Sequence, residues 1–286
     1  MGVIYPRQRE IRPPHAVSVL VTPVIALGTS SIAAATVLTT LAPHHFVTGD
    51  TVAIAGHLGS TPPIDGARIV TVIDAVQFSI PLAVTIAGAG GTVVRTIAVE
   101  PLTLVEGKLR AGLDWVGGDP RDALMLGFIA AARSQVETDT GLALLTQTRD
   151  VYLDAVSPGA AISVPALCQP LQTVLSITAI DTAGVPQVLD PAQYVVDAAS
   201  GRIGLALGGA WLTDVRPFQP WVIRLVAGRA SVAELQARDP KLVHAVGLLT
   251  AHYATLGRDL ASTGSAALVP MGYDDAIASY VPVSVI

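Results

Sequence analysis

Between residues 16 and 97 the apolar positions fall in short runs. "AVSVLV", "DTVAIAG", "ARIVTVIDA", "QFSIPL" and "GTVVRTI" are rich in Val, Ile, Thr and Phe, and several alternate apolar with polar. That is the period of a strand with one buried face. Gly49-Asp50, Asp65-Gly66 and the "GAGG" stretch at 88–91 supply turns between them. Ala33, Ala34 and Ala35 favour helix, but their β-branched neighbours and Thr39-Thr40 outweigh them. Residues 16–97 therefore predict a small β-sandwich or barrel.

Near residue 100 the period becomes helical. Thr103 is followed three residues later by Glu106, a capping box whose side chains satisfy free amides at a helix start. It predicts a helix over 104–113. A second is predicted over 120–140, with Asp119 as cap, Pro120 in the first turn and Asp122 at the positive end. Met125, Ile129, Ala132 and Val136 form its apolar face, and Gly141 stops it. Residues 147–229 return to strand-like runs. A third helix is predicted over 240–258, with Pro240 in its first turn and Leu242, Leu249 and Leu256 every seven residues. The chain ends in strand-like "YVPVSVI". The expected fold class is α+β: a helical bundle with a β-sheet insertion, beside a separate all-β module. The expected division is an N-terminal segment 1–15, a β-module 16–97, a core 98–262 with its β-insert at 147–229, and a tail 263–286.

Composition changes this picture in one respect. The 286 residues are 51% hydrophobic and only 14% charged, with a mean hydropathy of +0.57. A chain so apolar is expected to cover surface with partners; alanine abundance explains the same figure without them. No apolar run reaches the length of a membrane span, and the N-terminus lacks the apolar segment of a signal peptide. The formal net charge of −5 and the absence of a basic patch argue against tight nucleic-acid binding. Cys168 is the only cysteine, so no disulfide forms within the chain.

Candidate chemistry is sparse. His44 and His45 are adjacent, so on a strand their side chains diverge, and His57 and Asp50 lie at no zinc spacing. His244 and His252 sit about 80° apart around a helix and cannot share an ion. "GAGG" is followed by a strand, whereas a phosphate loop requires a helix. Glu137 and Asp139 at a helix end read as solvated, and Asp274-Asp275 as a polar turn. No nucleophile elbow or zinc-protease motif occurs. No catalytic residue, cofactor or metal site is expected.

The order of pieces carries a resemblance. "EPLTLVEGKLRAGLD", then "DALMLGFIAAARSQVETDTGLALLTQT", then "VYLDAV", resembles the start of the phage head–tail connector (adaptor) family. "PLQTVLSITAIDTAGVPQVLDPAQYVVDAASGRIGLA" resembles its β-insert, "DPKLVHAVGLLTAHYATLG" its next helix and "VPMGYDDAIASYVPV" its tail. "APHHFVTGDTVAIAG" with "IDGARIVTVIDAVQFSI" resembles a small β-module of phage structural proteins, similar to a β-domain of ubiquitin-activating enzymes. That module has His-Gly-Leu before its Thr-Gly-Asp turn; here His45-Phe46 stands in place of Gly-Leu.

The resemblance implies a virion-neck protein, assembled in the host cytoplasm as a ring of about twelve copies beneath the portal. Such a ring extends the DNA channel without binding DNA specifically and docks tail or stopper proteins. A contact with the portal is expected at Tyr273, Tyr280, Val281, Val283, Val285 and Ile286, the uncharged terminal strand adding to a sheet edge. Two other readings are a glycan- or host-binding decoration protein and a tail-completion or stopper protein. The first would need exposed aromatics, yet residues 16–97 contain only Phe46 and Phe78.

Overall fold

The computed structural model describes residues 16–157, 159–165, 168–256 and 271–281. The chain opens with β1 (Ala16–Val21) and continues through seven strands. These are β2 (Val24–Ser30), β3 (Thr36–Thr40), β4 (Thr51–Ala55), β5 (Gly66–Ile69), β6 (Thr71–Val72), β7 (Gln77–Ile80) and β8 (Thr92–Ile97). The seven form one antiparallel sheet in the order β5-β4-β8-β2-β3-β7-β6. Its two edge strands are consecutive in sequence, and the sheet curls into a nearly closed barrel. Burial alternates along β3, β4 and β7, as the period-2 pattern requires. Leu27, Leu38, Val52, Ile54, Phe78 and Val93 fill the interior.

β1 is not part of this barrel. It pairs antiparallel with β9 (Gln147–Leu153), from Ala16 opposite Leu153 to Val21 opposite Thr148. The module expected to begin at residue 16 is thus a loop-out between β1 and the helices that follow β8. β9 belongs to a five-stranded sheet, β1-β9-β15-β11-β12, with β11 (Leu171–Ile180), β12 (Pro186–Val188) and β15 (Trp221–Ala227). A three-stranded sheet lies beside it: β10 (Ile162–Ser163), β14 (Arg202–Leu205) and β13 (Tyr194–Asp197). The two share a core built around Trp221, Ile177, Ile223, Leu225 and Ile203. Trp211 meets Trp221 edge-on with ring centroids 5.9 Å apart, a geometry worth about 1 kcal/mol beyond its buried area.

Five helices were found among the described residues: α1 (Leu104–Arg110), α2 (Arg121–Thr140), α3 (Val232–Arg238), α4 (Pro240–Leu256) and α5 (Met271–Ile277). Thr103 and Glu106 form the expected capping box on α1. Gly141 ends α2 in the left-handed conformation at φ 71°, which glycine adopts at little cost. Ile129, Ala132 and Val136 of α2 pack with Leu242, Val246 and Leu249 of α4.

The expected fold class is corrected here. Strand makes up 35% of the structure and helix 25%, so the protein is mostly β, and no helical bundle forms its core. The residues read as an insertion within a bundle instead build a sheet with a hydrophobic centre of its own, and β1 joins it from the other side of the barrel. Two helices were also absent from the expectation. α3 is capped by Ser231, whose hydroxyl accepts from the Glu234 amide; the Ser-x-x-Glu signal was in the sequence. α5 carries Gly272 and two aspartates and is held by burial of Tyr273, Ala276 and Ile277, not by propensity.

Asp50 joins the barrel to the rest. Its side chain has no exposed surface. Oδ2 accepts from the Val47 amide at 2.8 Å and from Arg95 Nη1 at 3.3 Å, and Oδ1 accepts from the Val99 amide at 2.8 Å. Arg95 Nη1 also donates across the junction to the carbonyl of Thr146 at 2.8 Å. Replacing Asp50 by Ala strands a buried guanidinium and two buried amides. The expected loss is about 3–5 kcal/mol of unfolding free energy in a denaturant titration. Asp50→Asn, which keeps an oxygen acceptor, is expected to lose less.

Candidate functional site

The histidine pair is structural. His44 is buried; its Nδ1 accepts from the Phe46 amide at 3.0 Å, so Nε2 carries the proton and donates to the Gln77 carbonyl at 3.3 Å. Its ring stacks on Phe46 at 4.8 Å and meets Phe78 edge-on at 5.5 Å. Burial pushes its pKa down, so the ring is neutral near pH 7. His45 has a positive φ of 53°, a conformation histidine tolerates better than most residues. Burial, then His44 and Arg95, lower its pKa as well. Among the described residues no group of three His, Cys, Asp or Glu could hold a metal.

A serine–histidine pair was not anticipated. His57 Nδ1 lies 2.7 Å from the Gly90 carbonyl, which fixes the proton there, and Nε2 lies 3.0 Å from Ser30 Oγ. Both residues are buried. A Cβ at Gly88 would lie 2.8 Å from His57 Nε2 and 2.5 Å from the Leu58 carbonyl, so backbone fills the space a substrate would need. Ser30 Oγ accepts from the Gly88 amide at 2.8 Å. The pair closes one end of the barrel, and the "GAGG" stretch serves that packing.

Glu137 departs from the expected solvated carboxylate. It is buried, accepting from Arg133 at 2.9 Å, the Leu144 amide at 3.0 Å and Gln147 Nε2 at 3.2 Å. Arg133 also reaches Glu100 at 2.8 Å, whose pKa burial raises despite that partner. Asp139 accepts from the Tyr273 hydroxyl at 2.7 Å. Cys168 is buried, and burial raises its thiol pKa. His244 is exposed and His252 half-buried on α4.

Of the residues expected to meet the portal, Tyr273 is buried on α5 and Tyr280 is half-buried, packed against the same core. Val281 is partly exposed, at the end of the described chain. Val283, Val285 and Ile286 lie outside the described residues. Residues 271–277 are helical, where a polar turn at Asp274-Asp275 was expected. The structure thus brings Tyr273 and Tyr280 into the protein's own helical layer.

Apolar side chains also stand in solvent. Val105 and Leu109, one turn apart on α1, are 73% and 77% exposed, and Val116 and Leu124 beside them are 84% and 58% exposed. Between them Trp115 is fixed, its Nε1 donating to Asp122 at 2.7 Å with the Arg121 guanidinium 4.4 Å above the ring.

No protein-family model matches the chain, and no curated protein matches it. Solved structures do. A chain in the neck of an empty gene transfer agent (GTA) particle computed with C6 symmetry is 27% identical, with a TM-score of 0.50 over 65% of this chain and 92% of that one. A chain of the virion of a native gene transfer agent particle is 28% identical, with a TM-score of 0.51 over the same shares. A third, from the neck of a native GTA particle computed with C12 symmetry, is 30% identical with a TM-score of 0.48, over 67% of this chain and 95% of that one. This protein is a structural component of the neck of a phage-like virion, and not an enzyme.

The Tyr273–Asp139 bond gives a pH prediction. Burial and the Asp139 carboxylate raise the Tyr273 pKa. The folded phenol keeps its proton where the unfolded one, with a pKa of about 10, loses it. The stabilisation is therefore full below pH ~10 and declines above it. In chemical denaturation the wild type is expected to lose about 1 kcal/mol more per pH unit above that point than Tyr273→Phe.

Proposed function

We propose that the protein is the adaptor of the neck: a ring-forming connector that sits under the portal, continues the DNA passage and receives the tail or a stopper. The observation that carries this reading is the 27% identity, over 92% of its length, to a chain in a particle neck computed with C6 symmetry. A closed ring needs two different faces on each subunit, one for each neighbour. The α1 face of Val105 and Leu109, with Val116 and Leu124, supplies an aliphatic surface for one of them. The match leaves about a third of this chain without a counterpart. The barrel of β2–β8, looped out between β1 and α1, fits that remainder and sits as an attachment to the connector. A glycan-binding role for it is not favoured, because Phe46 and Phe78 are both buried.

In this reading the portal contact is made by the chain beyond Tyr280. Tyr273 anchors it from below through Asp139, and Tyr280 packs on the same helical core. Val281, Val283, Val285 and Ile286 then present a charge-free strand to a portal sheet edge.

Two outcomes test the proposal. Light scattering or native mass spectrometry of the purified protein is expected to give a ring, or a single subunit that becomes a ring on adding portal protein. Leu109→Asp is expected to weaken that assembly about tenfold or more and to leave the melting temperature of the subunit within a few degrees. A small fixed oligomer indifferent to both changes would refute the ring. Deleting residues 279–286 is expected to abolish portal binding while the subunit stays folded; full affinity without them would refute the tail contact.

A further inference from the structure

The five-stranded sheet has one end at the helices and one end made of loops. Leu144 and Leu145, just before β9, pack in the helical core. At the other end of β9, Leu153 pairs with Trp221, the first residue of β15. The loops at this second end surround a cavity of about 270 Å³, lined by Val156, Trp211, Leu212, Val215 and Trp221, with Asp154 beside them. Both indoles are buried, and Trp211 Nε1 already donates to the Ala160 carbonyl at 2.9 Å. Leu212 is 38% exposed, so an apolar wall stands open to solvent.

Charge at this end is one-sided. The loops 154–161, 181–185 and 206–220 carry Asp154, Asp181 and Asp214 against Arg216 alone. The three carboxylates accept only from neutral donors: Asp154 from the Gln219 amide, Asp181 from amides of its own turn and Gln187, and Asp214 from the Thr182 hydroxyl. Arg216 is held by the Gln219 carbonyl at 2.8 Å.

The chain enters the sheet at this same end. Ala16 of β1 lies opposite Leu153, so the residues before it reach the sheet here, two strand spacings or about 10 Å from Trp221. Fifteen residues precede Ala16 and lie outside the described chain. Within them the stretch "RQREIR" at 7–12 carries Arg7, Arg9 and Arg12 against Glu10, with Ile11 between two of the arginines. Pro13-Pro14 favour an extended chain. Extended, the five steps from Ile11 to Ala16 span about 15–17 Å, enough to reach the cavity.

We infer that the loop end of the sheet is the docking site of the chain's own N-terminal segment. Ile11 fills the cavity against Val215, Trp211 and Trp221, and Arg9 and Arg12 face Asp154, Asp181 and Asp214. The apolar anchor supplies affinity, and the opposite charges set its orientation. The short tether keeps the contact within one chain, because it holds Ile11 at a local concentration that a neighbouring copy does not match. Docking of this kind is independent of the ring.

Hydrogen exchange on the full-length protein tests the docking. The amides of residues 211–215 are expected to exchange about tenfold faster in Ile11→Ser than in the wild type. Arg9→Glu with Arg12→Glu is expected to speed them similarly, and adding Asp154→Arg with Asp214→Arg is expected to restore the slow exchange. A separate full-length variant, Ile11→Cys with Leu212→Cys, is expected to form its disulfide at the mass of one subunit under non-reducing conditions. Equal exchange in the wild type and Ile11→Ser would overturn the docking. Failure of the aspartate reversal to restore slow exchange would overturn the charge pairing. Disulfide-linked dimers or longer chains would overturn the assignment to a single chain.

Discussion

Asp50 has no exposed surface, so its charge must be balanced where it stands. Its three donors come from three stretches of chain: the turn at Val47, the strand β8 at Arg95, and the segment leading into α1 at Val99. The barrel's end, its last strand and its exit path are thereby fixed around one carboxylate. Arg95 carries the constraint onward to Thr146, at the entrance to β9. A buried pair of this kind contributes little net stability compared with apolar groups of the same shape, but it is strongly unfavourable to break. Its effect is on position: the barrel meets the five-stranded sheet in the arrangement that satisfies both bonds of Arg95 Nη1.

The same seam continues on the far side of Thr146. Its amide and hydroxyl both donate to the Arg229 carbonyl at 3.0 Å. Arg229 Nε donates to Asp239 at 2.7 Å, just before α4. A line of partly or fully buried polar groups thus runs from the barrel to the start of α4, between three separate hydrophobic cores. Apolar packing tolerates small slips, whereas directed hydrogen bonds do not. The cores supply cohesion and the seam supplies register. A virion neck, which must hold several partners in line, requires register.

Local structure was well written in the sequence. The capping box at Thr103–Glu106, the Met125–Val136 face, the Gly141 stop and the barrel strands are contacts within a few residues, and their periods report them directly. The fold class was not legible in the same way. β1 pairs with β9 across more than a hundred residues, and no periodicity records which sheet a strand will join. The weight given to the helices was misplaced as well, because the strands at 171–180 and 221–227 enclose a core of their own. Glu137 was misread for a related reason: a carboxylate at a helix end is solvated unless something distant covers it, and Arg133, Leu144 and Gln147 do. The place of His44 in the packing, stacked on Phe46 and edge-on to Phe78, needs the folded barrel. The assembly surface left only one trace in the sequence, an excess of apolar residues without location.

That excess can now be divided. Much of it is internal, since each of the three cores is filled by aliphatic and aromatic side chains. What remains outside is uneven. Between Val24 and Ile97 the charged residues are Asp50, Asp65, Arg68, Asp74 and Arg95, and two of these are spent inside the seam. The barrel therefore meets its surroundings with little electrostatic field, and contacts it makes would respond weakly to salt. The β-insert carries more charged groups. Asp181, Asp190 and Asp197 are each tied to amides of their own turns; the Val185 amide holds the Asp181 carboxyl, and the Ser200 hydroxyl with its amide the Asp197 carboxyl, below the usual pKa. Their carboxylates are thus occupied in shaping the turns. The insert as a whole is nonetheless close to neutral, with six aspartates against five arginines between residues 147 and 229, so its charges are spent on turns and ion pairs and leave no surplus of one sign.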